Sequence, residues 1–258
     1  MCHTASMANC GMSNPVTPSA LGGVTLRTST GACATTTGSS ASCESNFKDT
    51  CDDWMNRLEQ ESSDHGGANY NNVEWLAHIG MFVCKAGCHG QGKALDIRRI
   101  KWNGIDCCPG GGDHSSSDRT VRRRYLAVDA VCRMYFKDVL DGWYTTANCA
   151  DDDTHTNHIH VASHFTTNNI ILDRESCPDA LFVQAVCNNF NGAGLTIDGS
   201  WGNATENAWD DINSAWDWGG CGNPFQNHST YEKWLHRVAY AGFKDVTASD
   251  VPAGLDGC

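Results

Sequence analysis

The chain has 258 residues, 15 cysteines, 11 histidines and a formal net charge of −12. This length allows one large domain or two to three small ones. The negative charge argues against binding to nucleic acid or to anionic membrane surfaces, and no apolar run is long enough to span a membrane.

The first 45 residues are rich in Ser, Thr, Gly and Cys and contain few large apolar side chains. Because such a composition makes little core, we expect residues 1–45 to form an N-terminal extension that disulfides tie down. A short helix is predicted over residues 46–62, where Trp54 and Leu58 lie four positions apart.

Alternating strand and helix patterns follow. Residues 73–83 are apolar enough for a buried segment, and residues 94–102 read as a strand. The core-facing side chains of that strand are predicted to be Leu95, Ile97 and Ile100. A helix is predicted over residues 119–140, because apolar side chains recur there at helical spacing. We therefore expect residues 46–175 to be an α+β domain, a small antiparallel sheet with flanking helices.

A histidine run occupies residues 155–160, with the sequence His-Thr-Asn-His-Ile-His. In an extended strand, residues two apart point to the same face, so His158 and His160 would project together. Two imidazoles side by side form half of a transition-metal site. The alternative is a solvated loop or a helix cap, which the run alone does not exclude.

A second half of such a site lies about sixty residues upstream, where His89 offers a nitrogen and Asp96 an oxygen. Between them, Gly92 permits a tight turn or a close backbone approach. Ala94 is small and shares a strand face with Asp96, which leaves room for a metal and its water. Two nitrogens and one oxygen, with a fourth position left to water, describe a catalytic zinc site rather than a structural one.

These two segments match two motifs of one family. His89, Gly92, Ala94 and Asp96 fit His-x-x-Gly-x-Ala-x-Asp, and the histidine run fits His-x-x-His-x-His. The combination resembles the LAS zinc peptidases, which include D-alanyl-D-alanine carboxypeptidases, penicillin-insensitive murein endopeptidases and extensin-like domains, and whose fold the zinc-binding domain of hedgehog proteins shares. The resemblance covers roughly residues 65–165, and the three-histidine form is most similar to the murein endopeptidase branch.

The resemblance implies an activity and a role for each residue. His89, Asp96 and His160 would hold Zn²⁺, and His158 would act as general acid/base where other members carry a Glu. His155 would assist transition-state stabilisation or only hydrogen-bond a neighbour. The implied function is a secreted zinc peptidase that hydrolyses peptide crosslinks or stems of bacterial peptidoglycan.

Two nearby polar features have weaker interpretations. The acidic run at residues 151–153 could orient a ligand imidazole from outside, or it could be a solvated loop. His164 follows the histidine run by four residues and is predicted to lie at the surface or outside the ligand set.

The cysteines spread along the whole chain and do not form paired Cys-x-x-Cys knuckles. A disulfide framework, and with it secretion, is therefore the favoured interpretation. Because the count is odd, at least one thiol is expected to be free or bonded to another chain. The first residues lack a basic region followed by an apolar stretch, so we expect the sequence to start after a processed leader or to be incomplete.

A third pattern begins after residue 176. Asp198, Gly199, Gly202 and Thr205 fit Asp-Gly-x-x-Gly-x-x-Thr, with Gln184 upstream. This resembles the small three-helix peptidoglycan-binding domain that is often appended to wall hydrolases. The alternative is an ordinary turn before an amphipathic helix. Residues 176–258 are accordingly predicted to be a small all-α domain that binds peptidoglycan.

Two function classes remain open from the sequence. The first is a secreted zinc peptidase acting on cell-wall peptides. The second is a non-catalytic binding or structural extracellular protein that keeps the zinc fold. His158 beside a complete ligand set favours the enzyme, whereas a fourth protein ligand would favour the second class.

Overall fold

The structure is a computed structural model that describes residues 10–149, 155–163 and 170–257. The strands are β1 (Pro15–Val16), β2 (Ala20–Leu21), β3 (Val24–Thr28), β4 (Cys43–Glu44), β5 (Val73–His78), β6 (Ala94–Trp102), β7 (Asp106–Cys107), β8 (Asp138–Leu140) and β9 (Ile159–Ala162). The helices are α1 (Ser45–Gly66), α2 (Arg119–Tyr135), α3 (Thr146–Cys149), α4 (Cys177–Val186), α5 (Asn203–Ala215) and α6 (His228–Lys244).

One sheet holds seven of these strands, in the order β2-β3-β5-β6-β9-β8, with β7 paired to the side of β6. Every pairing is antiparallel except that of β3 with β5, which run parallel. The mixed α and β character and the mainly antiparallel sheet are therefore confirmed. The parallel pair is a feature that the sequence did not predict.

The N-terminal segment takes part in this sheet. β3 buries Val24 and Leu26 while Thr25 between them is exposed, which is the two-residue alternation of a strand with one face on the core. Disulfides Cys10–Cys84 and Cys33–Cys108 also tie the segment to the rest of the chain. It is thus held by disulfides, as expected, and it adds core residues that were not expected.

The predicted strand and helix near the site are confirmed in part. β6 has the predicted bounds, and its three predicted core side chains are fully buried. The predicted helix over residues 119–140 is wrong at its end, because α2 stops at Tyr135 and residues 138–140 form β8. Residues 138–140 form a strand because they pair with β9, and a pattern within the helix cannot reveal a pairing with a strand that is distant in sequence. In the predicted buried segment at 73–83, Ile79 and Val83 are exposed.

The C-terminal helices pack on the rest of the molecule. α6 lies against both α1 and α2, and one continuous hydrophobic core includes residues from all three helices. The contact with α2 is close at Gly242, where a Cβ atom would come within 2.4 Å of the Arg123 carbonyl oxygen and 2.6 Å of Ala127 Cβ. The division of the chain near residue 176 stays a prediction, and this shared core argues against independent folding of the two parts.

A buried ion cluster also joins the two parts. Arg133 on α2 contacts Asp129 at 2.7 Å, Asp141 at 3.6 Å and Asp179 of α4 at 2.7 Å. Burial raises the pKa of both Asp129 and Asp141, and the guanidinium of Arg133 opposes this. The single positive charge of Arg133 therefore offsets only part of the cost of burying three carboxyl groups, and the raised pKa of Asp141 favours its protonated form, hydrogen-bonded to Asp129.

The cysteines divide into two groups. Cys149–Cys177 is a third disulfide, and Cys88 and Cys221 are disulfide-bonded as well. Five described cysteines carry free thiols, and all five are buried: Cys43, Cys51, Cys107, Cys132 and Cys187. The expected free thiol is confirmed, but the burial of these five keeps them from reaching another chain.

Within the described ranges, every helix is too short or too polar to cross a lipid bilayer.

Candidate metal centre

Two of the candidate ligands come from a cross-strand pair. Asp96 on β6 is the register partner of His160 on β9, so their side chains lie on the same face of the sheet. His160 Nδ1 is 2.8 Å from Asp96 Oδ1. The alternate residues of β9, Ile159 and Val161, are fully buried. Strand alternation therefore sends the imidazole to the site and the apolar side chains to the core.

The third candidate ligand is supplied by a turn. His89 lies in a short 3₁₀ helix, Cys88–Gln91, and its Nε2 is 3.1 Å from Asp96 Oδ1. Its Nδ1 is 3.1 Å from the carbonyl oxygen of Met81. Because a carbonyl can only accept, Nδ1 carries the hydrogen, and in the neutral imidazole Nε2 is left with a lone pair. That lone pair faces a carboxylate oxygen, so a proton or a metal cation is required between them.

Small residues shape the space around these ligands. Gly92 ends the 3₁₀ turn with left-handed backbone angles, φ 65° and ψ 31°. A Cβ atom there would lie 3.0 Å from the backbone nitrogen of Glu44. Ala94 is buried opposite Ala162 in the strand register. The predicted roles of Gly92, as a tight turn and a close approach, are confirmed.

The remaining histidines of the run lie beside the same carboxylate. β9 begins at Ile159, so His158 is in the turn before the strand, where its N–H donates to the His155 carbonyl at 3.3 Å. His158 Nε2 is 3.6 Å from Asp96 Oδ1. The ring of His155 lies 4.8 Å from that of His158 and 5.4 Å from that of His160. The expectation that His158 would be inside the strand is wrong, but its imidazole still reaches the cluster.

Electrostatics set the charge of the two central groups. Burial alone would raise the pKa of Asp96, but its contacts with His160 and His89 outweigh burial and hold the pKa well below its usual value. Burial lowers the pKa of His158 to about 4, although the charge of Asp96 acts in the opposite direction. The site thus combines an ionised carboxylate with a neutral imidazole at neutral pH.

Two overlapping sets of residues here could hold a metal ion. The ligand atoms of His89, Asp96 and His160 all lie within 4.8 Å of one another, and so do those of His155, His158 and His160. The side chains of Asp96 and His158 keep 13% and 12% of their surface exposed, against 5% for that of His89. Solvent therefore reaches the cluster on the side of Asp96 and His158.

All five predicted site residues are thus brought together. The backbone carbonyl of Met81 was missed, and no sequence signal marks it, because any residue type supplies a carbonyl. The acidic run at residues 151–153 and His164 lie outside the described residues.

The C-terminal motif forms a hydrogen-bond network around Gln184. Its amide nitrogen donates to Asp198 at 2.9 Å and to Thr205 at 3.1 Å, and its oxygen accepts from the N–H groups of Asp198 and Gly199 at 3.0 Å. Gly199 has a positive φ of 74°. The motif therefore fixes the loop between α4 and α5, which gives it a structural role.

No protein-family model, no curated protein and no solved structure matches this chain.

Proposed function

We propose that this protein is a secreted zinc peptidase that hydrolyses peptide crosslinks or stem peptides of bacterial peptidoglycan. One observation carries the proposal: His89, Asp96 and His160 converge from a turn and two paired strands, with His158 beside them. The resemblance of the two motifs to LAS peptidases supports the choice of substrate.

The donor set fits zinc. Two imidazole nitrogens and one carboxylate oxygen are ligands that catalytic zinc sites use, and a fully protein-bound site would need a fourth. The hydrogen bond from His89 Nδ1 to the Met81 carbonyl presents Nε2 to the ion, as is usual for zinc-bound histidines. When bound, zinc would activate water for attack and polarise the scissile carbonyl.

The neighbouring side chains would transfer protons and hold the histidine rings in position. His158 is neutral and partly exposed, so it can accept a proton from the attacking water and return it to the leaving amine. His155 is buried against the other two histidines of the run and against Tyr144, so it would hold their rings in place. Asp96 stays ionised and would remain a ligand across the neutral pH range.

The disulfides support an extracellular location, and the C-terminal helices would help the protein bind the cell wall. Disulfides persist in oxidising compartments, which favours an extracellular protein. Residues 176–258 would add contacts to insoluble wall material, as the resemblance of the Gln184 motif suggests. Because the chain is acidic, such binding would depend on specific contacts rather than on attraction to anionic polymers.

The test combines metal content with digestion. The purified full chain should contain zinc and release peptides or D-amino acids from peptidoglycan, and His89→Ala should abolish both results. His228→Ala is the matched control, since His228, the first residue of α6, contacts the backbone carbonyl of Ile170 and belongs to neither ligand set at the sheet. A zinc-loaded chain that leaves peptidoglycan and stem peptides intact would refute the peptidase proposal.

A specific observation favours a second candidate, a non-catalytic zinc protein. His158 Nε2 is 3.6 Å from Asp96 Oδ1, close enough for His158 to become a fourth protein ligand. Such a closed site would be structural. The two candidates differ in His158→Ala: an enzyme should keep its zinc and lose rate, whereas a closed structural site should lose zinc affinity.

A further inference from the structure

A second cluster of metal-binding side chains lies between α1 and α6. Glu61 and His65 are one turn apart on α1, and His236 faces them from α6. The ligand atoms of these three residues all lie within 4.8 Å of one another. The cluster shares no residue with the site on the sheet.

Two buried atoms of this cluster are left without hydrogen bonds. Glu61 is only 2% exposed, and within the described residues neither its Oε2 nor His65 Nε2 has a hydrogen-bond partner. The two atoms are 3.3 Å apart, which is an ion-pair distance, but the angles between them are not those of a hydrogen bond. Buried polar groups are nearly always paired in native proteins, so either a proton on His65 or a cation is needed between these two atoms. A cation between the two atoms would satisfy both.

The surroundings orient the third residue as a ligand. His236 Nδ1 is 2.7 Å from Glu61 Oε1, while its Nε2 points at Asp256 Oδ1 at 3.4 Å. Asp256 is in turn held by Arg237, whose Nε donates to Oδ2 at 2.8 Å. A carboxylate behind the second nitrogen of a histidine is the usual support of a metal-bound imidazole.

A path to solvent exists on one side. A surface cavity of about 330 Å³ is lined by residues that include Arg57, His236 and Asp256. Arg57 Nε is 2.7 Å from Glu61 Oε1, so it balances one carboxylate oxygen and leaves Oε2 for an ion. An ion could therefore enter past His236 without opening the core.

The competing explanation is a simple ion pair. Burial alone would lower the pKa of His236, but Glu61 raises it, and contacts with His236 and His65 bring the pKa of Glu61 down to about 2 despite burial. A protonated His236 would account for Glu61 Oε1. Glu61 Oε2 and His65 Nε2, 3.3 Å apart, would form a second ion pair if His65 were protonated, so metal content decides between two protonated histidines and one bound ion.

We propose that Glu61, His65 and His236 bind a divalent transition-metal ion, with zinc as the expected occupant, and that this ion joins α1 to α6. Two imidazoles and one carboxylate suit zinc and its neighbours in the first transition row rather than magnesium or calcium. Its position between two helices of the shared core makes it a stabilising clamp for the C-terminal part of the chain.

The test removes the first site and then asks whether metal remains. His160→Ala breaks both ligand sets at the sheet, because His160 belongs to each. In that background, the full chain should still retain one zinc per molecule, and adding Glu61→Gln should remove it. Ser229→Ala is the matched control, since Ser229 lines the same cavity without being a proposed ligand. Failure of the peptidase proposal would leave this result unaffected.

A second measurement guards against variants that fold poorly. In the His160→Ala background, zinc at about 100 times its Kd should raise the melting temperature by roughly 5–10 °C. Glu61→Gln, which keeps the shape of the side chain, should abolish that rise. The proposal is overturned if His160→Ala binds no zinc, or if its zinc content and melting temperature do not respond to Glu61→Gln.

Discussion

Replacing Gly92 by alanine should damage the site on the sheet without touching a ligand. Gly92 has left-handed backbone angles, and its N–H donates to the His89 carbonyl at 3.1 Å. Its own carbonyl accepts from the Glu44 N–H at 2.9 Å. The turn that presents His89 therefore depends on this backbone conformation and on close contact with Glu44.

The loss of stability in Gly92→Ala has two parts, backbone strain and crowding by the added Cβ atom. An L-residue other than glycine loses about 1–2 kcal/mol in the left-handed region, and reduced freedom of the unfolded chain returns up to about 1 kcal/mol. The added Cβ would also lie 3.0 Å from Glu44 N and 2.5 Å from Met12 Sδ. The methionine can turn away, but the backbone nitrogen cannot, and such overpacking costs roughly 1–3 kcal/mol. The free energy of unfolding should fall by about 2–4 kcal/mol.

Gly192→Ala separates the two parts. Gly192 has nearly the same angles, φ 69° and ψ 30°, but no atom lies within 4 Å of its added Cβ. Its loss should be limited to about 1 kcal/mol, and its metal affinity should be unchanged. Denaturant unfolding and zinc titration of the two variants give the comparison. Equal losses of stability, or unchanged zinc affinity in Gly92→Ala, would refute the reasoning.

The remaining predictions concern chemistry and the shared core. His158→Ala should retain zinc and lose a factor on the order of 10²–10⁴ in hydrolysis of a soluble stem peptide, because proton transfer is removed; an unchanged rate would assign that transfer to another group. Arg133→Met should lower the free energy of unfolding by about 3–5 kcal/mol, because buried carboxylates lose their counter-charge. The exposed Arg119→Met on the same helix should change it by less than about 0.5 kcal/mol, and equal effects would contradict the role of the cluster. Gly242→Ala should destabilise the whole chain in a single unfolding transition, whereas loss of the C-terminal helices alone would indicate a separate domain.

Local patterns predicted the parts of the fold that depend on neighbouring residues. Residues 94–102 alternate poorly, but the segment still predicted the bounds of β6, and the shared face of Ala94 and Asp96 follows from their two-residue spacing. The spacing within each motif brought out the histidines as candidate ligands, and the resemblance to LAS peptidases singled out His89 and His160. Their meeting depends on the pairing of β6 with β9, which the spacing within each motif does not specify.

Features that depend on distant partners could not be predicted in this way. Residues 138–140 continue a helical pattern and become a strand only because β9 is available to pair with them. The parallel pairing of β3 with β5 has no local signal. Glu61 and His65 have the spacing of a helical pair, but His236 lies 175 residues beyond Glu61, so the cluster becomes visible only when α6 packs on α1.

The loop that carries His89 is anchored by disulfides at two points, because Cys84 is bonded to Cys10 and Cys88 is also disulfide-bonded. Cys88 is the direct neighbour of His89, so formation of these two disulfides and completion of the ligand set are linked. We expect a chain held under reducing conditions to bind zinc more weakly at this site, which titration before and after mild reduction would measure. Equal affinities would show that the fold alone positions His89. Linked in this way, the proposed zinc site would be incomplete in a reducing compartment and complete only in an oxidising one.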